Sequence, residues 1–315
     1  MKPPILVAMP ISARLRGSIE DKYDVLGAID RGGALPTASA GKARALITLG
    51  GLTTNAALMD ALPDLGLISC YGTGFEGVDR HEAAKRGITV THAGDANATA
   101  VAEFTMGLII AAARNVVRGD KAIREGKWLT HPIESIPVMP GLSGRRLGIY
   151  GMGTIGLKIA RRAEAFEMDV GYFNRSRRGD VGYAYLGDLE SLAQWSDVLV
   201  VGVRASAENR HSINARILQA LGPEGILVNI SRGLVIDENA LCDALESHRI
   251  LSAALDVYEN EPRVPDRLRA LENVVLTPHI AAFSRAAQVA QLDMVLGNLE
   301  AFFSGGQLRS IVPPP

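Results

Sequence analysis

The chain is 315 residues long, a length that suits about two domains rather than a single core. A formal net charge of −1, with 33 Lys and Arg against 34 Asp and Glu, leaves no overall field to draw nucleic acid or an anionic membrane. Its two cysteines, Cys70 and Cys242, form no metal-type spacing and no disulfide framework, and point to a reducing compartment.

In chain order, "ILVAM" is too short for a signal-peptide core and Pro10 ends it, so a cytoplasmic protein without a membrane partner is expected. "ILVAM", "ALITL", "LGLISC" and "ITVTHA" read as strands, with apolar residues at helical spacing in "NAALMDALPDL" and "VDRHEAAKRG" between them. That alternation predicts a parallel sheet with crossover helices. One long helix is expected from about residue 99 to 125, apolar on more than one face, linking two domains and packing against a partner subunit. Six strands follow, "RLGIYG", "DVGYFN", "DVLVVGV", "GILVNIS", "LSAALDV" and "NVVLTP", the pattern of a doubly wound sheet buried on both faces. The final helix, "SRAAQVAQLDMVLGNLEAFFSG", stops at Gly305 and Gly306 and is expected to return to the first domain.

Between the first strand and helix of the second series lies "GMGTIG", with Gly151, Gly153 and Gly156, then Thr154 and Ile155 opening the helix. Such glycines permit a tight turn, approach of a pyrophosphate to the backbone, and close helix–strand packing. The helix N-terminus adds free N–H groups and positive dipole. A ribose-binding acid belongs about 20 residues on; the second strand ends instead in Asn174, followed by Arg175, Ser176, Arg177 and Arg178. Asn removes the repulsion an acid would exert on a 2′-phosphate, Arg supplies a planar fork for its oxygens, and Ser adds a donor. The loop is therefore expected to favour NADP(H), with NAD(H) as a weaker option.

Three further segments end strands of the same series: "VNISRGLVID" with Arg232, "ALDVYENEP" with Asp256 and Glu261, and "VVLTPHIAA" with His279. With "YGTGFEGVD" and "VAEFTMGLI", these motifs resemble the D-2-hydroxyacid dehydrogenase family, in its glyoxylate/hydroxypyruvate and hydroxyphenylpyruvate reductase branch. The resemblance covers nearly the whole chain. It implies two Rossmann-like/flavodoxin-like α/β domains, doubly wound parallel sheets with a cleft between them: a discontinuous substrate-binding domain of residues 1–98 plus 285–315, and an NAD(P)-binding domain of residues 99–284.

The implied activity is reduction of a 2-oxo acid to a D-2-hydroxy acid. Arg232 would bind the substrate carboxylate, His279 would give its proton to the ketone oxygen, and Glu261 would hold the other ring nitrogen. Asp256 would bond the nicotinamide carboxamide and Val203 would lie beside the cofactor. Thr73 and Gly74 would form a second carboxylate clamp. Trp128 resembles a tryptophan that reaches into the neighbouring subunit's pocket in a homodimer; packing at the domain junction is the alternative. No metal is implied. Phe75, Arg204 and the run Ala281, Ala282, Phe283, Ser284 depart from the branch, so a bulkier acid such as hydroxyphenylpyruvate or 2-ketogluconate competes with glyoxylate or hydroxypyruvate as substrate. A dinucleotide-sensing interaction protein, like the corepressors that share this fold, is the reading from another class. His81, His92, His131, His211 and His248 fit no catalytic pattern and read as structural or exposed.

Overall fold

The computed structural model describes residues 2–8, 13–28, 40–129, 131 and 136–315. Met9 and Pro10, which close the first expected strand, lie outside the described residues. The chain divides into two compact units, Met1–Asn97 with Ser284–Pro315, and Ala98–Phe283.

In the first unit β1 (Pro4–Ala8), β2 (Asp24–Ala28), β3 (Ala45–Thr48), β4 (Leu67–Cys70) and β5 (Thr89–Thr91) form one parallel sheet in the order β2-β1-β3-β4-β5. This is the flavodoxin-like order, whose direction of winding reverses between β1 and β3. Ile5, Leu46, Leu67 and Ile68 are fully buried, as strands covered on both faces require. β2 and α1 (Ala13–Glu20) were not anticipated: neither carries the unbroken apolar run that marks the other elements. α2 (Ala56–Asp60) and α3 (Arg80–Lys85) start at Asn55 and Asp79, whose side chains accept from the N–H groups of Leu58 and Glu82. The carboxyl-terminal helix, Arg285–Ser304, packs on β4 and sends Val295 and Leu299 into the core beside Ile5 and Val7. Gly305 ends it in the left-handed conformation, and Val312 then donates to the Val90 carbonyl at 2.8 Å.

The second unit opens with a correction. The run expected as one helix is two, α4 (Ala98–Ala113) and α5 (Val116–Arg124), bent by 66°. Asn115 between them has φ 55, a left-handed conformation that no right-handed helix contains. The apolar pattern runs on through the break, which hides it. α4 is buried along most of its length against α6 (Thr154–Glu164) and the central strands, whereas α5 buries no residue. Among the described residues no single helix is long and apolar enough to cross a membrane.

The sheet of this unit contains β6 (Arg146–Tyr150), β7 (Asp169–Phe173), β8 (Ala184–Tyr185), β9 (Val198–Val201), β10 (Ile226–Asn229), β11 (Ser252–Leu255) and β12 (Val274–Leu276). Their order is β12-β11-β10-β9-β6-β7-β8, doubly wound and parallel throughout. The register aligns six strand ends in one row: Phe173, Tyr150, Val201, Asn229, Leu255 and Leu276. The residues that leave these strands therefore emerge side by side along the carboxyl edge, where doubly wound sheets bind ligands.

Candidate active site

The turn from β6 to α6 needs glycine for steric reasons. Gly151 has φ +109, and a Cβ there would stand 2.6 Å from the Val203 nitrogen; one on Gly156 would stand 2.4 Å from the Gly151 carbonyl oxygen. At Gly153, which caps α6, a Cβ would meet nothing within 4 Å, so the turn is open where the helix presents its free N–H groups. Exposed Thr154 and half-buried Ile155 begin the helix. Val203, just past β9, packs against the core next to this turn. Tight glycines behind and an open face in front fit a dinucleotide diphosphate.

Five residues follow β7, and the structure divides them. The Asn174 side-chain oxygen accepts from the Met152 N–H at 2.7 Å, so it braces the glycine turn while its amide nitrogen can meet a ribose. Arg178 donates to the Met152 carbonyl at 2.9 Å and pairs with Asp180 through both sides of its fork. Between them Arg175, Ser176 and Arg177 are exposed. The Arg175 side chain is 91% exposed and pairs with Glu208 at 3.5 Å, a surface pair of little energetic weight.

Asp256, Glu261 and His279 are assembled from the two neighbouring strands β11 and β12. Nδ1 of His279 lies 2.8 Å from Oε2 of Glu261, whose Oε1 accepts from the Tyr258 N–H at 3.1 Å. Burial pushes the Glu261 carboxyl up, but the hydrogen bond and charge of His279, the Tyr258 N–H and the charge of Arg232 outweigh it and hold the group below its ordinary value. His279 has φ 55, a left-handed conformation uncommon outside glycine, so its surroundings must impose it.

Asp256 does much of that. It is 1% exposed and its carboxylate accepts from Thr277 Oγ1 at 2.6 Å and from the N–H groups of Ile280 and Ala281 at 2.9 Å. Within the chain these bonds make Asp256 a positioning group for the His279 loop, while Oδ2, with one partner, keeps acceptor capacity for the carboxamide expected there. Buried Tyr258 adds a second tie, its hydroxyl 3.0 Å from the Thr277 carbonyl. Burial, with the nearby charge of Asp256, pushes that phenol up to about 12, so it stays protonated.

Arg232 leaves β10 through a turn shaped by Asn229, whose side chain bonds the Ser231 N–H at 3.0 Å and the Arg232 carbonyl at 3.1 Å. A Cβ on the next residue, Gly233, would stand 1.8 Å from the Tyr258 carbonyl carbon. The backbone of the "SRG" turn therefore lies directly on the segment that carries Glu261, which brings the Arg232 charge to bear on that carboxylate.

Sequence reasoning missed the neighbouring acid cluster. His211, read as structural or exposed, lies 3.0 Å from Glu259, which also pairs with Arg210. The Glu259 N–H donates to Glu238 at 2.8 Å, and burial pushes the Glu238 carboxyl up. The signal was present in "YENEP", whose two acids face two different histidines. Of the departing residues, Ala281 is held by Asp256, Ser284 caps the last helix, and Phe283 is exposed. Thr73 and Gly74 follow β4 in the first unit, with Gly74 buried. Trp128 is 64% exposed. Among the described residues no group of three or more His, Cys, Asp or Glu could hold a metal ion.

A diphosphate-shaped glycine turn beside a histidine–carboxylate pair at one sheet edge defines a dinucleotide-dependent oxidoreductase. The D-isomer specific 2-hydroxyacid dehydrogenase NAD binding domain matches residues 106–281. The chain belongs to that family, within its glyoxylate/hydroxypyruvate and hydroxyphenylpyruvate reductase branch. It is 40% identical over 269 residues to the hydroxyphenylpyruvate reductase of Plectranthus scutellarioides, covering 85% of each chain. It is 36% identical over 310 residues to an Arabidopsis thaliana glyoxylate/hydroxypyruvate reductase, covering 98% of each. A crystal structure of the NADPH-dependent glyoxylate/hydroxypyruvate reductase of Sinorhizobium meliloti, with NADP and malonate, superposes with TM-score 0.91 at 36% identity, over 100% of this chain and 98% of that one.

Gly233→Ala must push the 258–259 segment away and should destabilise the fold by about 3 kcal/mol or more, read by urea unfolding. Glu261 has a lowered folded value, so the stability it contributes is complete above the ordinary carboxylate range and is lost as pH falls through that lowered value. Glu261→Gln should therefore lose less thermal stability between about pH 7 and about pH 4 than the unmodified chain, as melting curves at both would show.

Proposed function

We propose that this chain is an NADPH-dependent reductase that converts small 2-oxo acids, glyoxylate or hydroxypyruvate, to D-2-hydroxy acids. The observation that carries the reading is the 2.8 Å pair of His279 and Glu261, with the Arg232 charge acting on the same carboxylate. The bound nicotinamide supplies the hydride. Arg232 anchors the substrate carboxylate and polarises the ketone with a fork suited to both. With Nδ1 held by Glu261, the other ring nitrogen of His279 is the one that gives its proton to the ketone oxygen as negative charge develops there. Glu261 fixes the orientation of the ring through Nδ1.

NADPH is favoured because Arg175, Ser176 and Arg177 offer exposed donors and no acid stands at the end of β7. The Sinorhizobium meliloti relative, itself NADPH-dependent, supports this choice. A second reading, the same chemistry on a bulkier acid, is favoured by likeness to hydroxyphenylpyruvate reductase. We further propose a homodimer, supported by the exposed apolar side chains Val116, Val117 and Ile123 of α5 and Trp128, Leu129 and Val138, which a second subunit would cover. In that pairing Trp128 is available to the partner's substrate pocket. Buried, unbridged Cys70 and Cys242 support a reducing, cytoplasmic setting.

Initial rates on about six 2-oxo acids with each cofactor would rank the substrates, and highest efficiency on glyoxylate or hydroxypyruvate is expected. His279→Ala should lower the reduction rate by about 10²–10⁴-fold while NADPH still binds. Arg232→Ala should act chiefly through a raised KM for the 2-oxo acid, by about tenfold or more. Near-full reduction by His279→Ala would show that another group donates the proton. Arg175→Ala should reduce the preference for NADPH over NADH by about tenfold or more.

A further inference from the structure

Resting on the reading that the loop after β7 receives the 2′-phosphate of NADPH, we propose that Tyr172 and Tyr185 are positioning residues that set cofactor preference by holding this loop in one shape. Neither residue belongs to the loop itself. Tyr172, on β7, is fully buried, yet its hydroxyl accepts from the Arg178 N–H at 2.9 Å and lies 3.2 Å from the Arg178 carbonyl, to which it donates. Tyr185, on the two-residue edge strand β8, packs its ring against Tyr172 with centroids 5.4 Å apart and donates to the Asn174 carbonyl at 3.2 Å. One phenol thus fastens each end of the loop.

The same two end residues hold the Met152 backbone, Asn174 at its N–H and Arg178 at its carbonyl. The loop and the glycine turn are therefore locked together as one unit. Only Arg175, Ser176 and Arg177 remain exposed between the anchors. A three-residue span fastened at both ends has little freedom left to lose when an anion docks, so its donors act at nearly full strength. NADH carries no 2′-phosphate and draws little from that ordering. The hydroxyls therefore matter far more for NADPH than for NADH.

The test compares kcat/KM for NADPH and NADH in the unmodified enzyme, Tyr172→Phe, Tyr185→Phe, the double variant and Arg175→Ala, with melting curves to establish folding. The tyrosine variants should lose about tenfold in NADPH efficiency, mostly through KM, with a far smaller change for NADH. A general structural role would lower both efficiencies alike. Equal losses, or no loss even in the double variant, would overturn the proposal, while a collapsed preference in Arg175→Ala would leave the phosphate reading intact. An unchanged preference in Arg175→Ala would sink that reading and this proposal with it.

Discussion

The site depends on one buried carboxylate. Asp256 sits at the end of β11 with almost no exposed surface, and an unpaired charge there would be severely destabilising. Its requirement for partners is met by Thr277, Ile280 and Ala281, the residues on either side of Pro278 and His279. Satisfying the charge therefore bends the chain back on itself, and His279 takes up its left-handed backbone as a result. The imidazole meets Glu261 only because the strand beside it insists on that curve.

The loops along this edge support one another through backbone groups more than through side-chain packing. The Gly233 turn rests on Tyr258 and Glu259, Met152 is bonded by Asn174 and Arg178, and Thr277 is tied to both Asp256 and Tyr258. Residues that face a ligand can then stay open to solvent without being loose. His279 and Glu261 keep side-chain exposures of 45% and 36% while their geometry is fixed from behind. Pre-organisation of this kind is what lets charges stabilise developing charge without rearranging during the reaction.

Much of this was legible in the sequence, for identifiable reasons. The six expected strands of the second unit announce themselves as apolar runs, because five lie inside a covered parallel sheet and the half-buried edge strand β12 keeps the same character. The motif residues could be placed at strand ends because the parallel register forces every strand to finish on one edge. β2 and α1 were illegible because an edge strand containing Gly27 and a polar helix have no such run. The break at Asn115 escaped because hydrophobicity reports burial, not backbone handedness. The bracing roles of Asp256, Asn174 and His211 were illegible for a different cause: each depends on a partner distant in the chain, whose position only the folded sheet supplies.

The first unit borrows its final pieces from the far end of the chain. Val295 and Leu299 complete one of its two cores, and Val312 completes the other. On the ribosome, residues that emerge first must wait for those that emerge last, while the intervening unit already has all of its own sequence. A premature stop that spared every catalytic side chain would still leave the amino-terminal sheet without its lining.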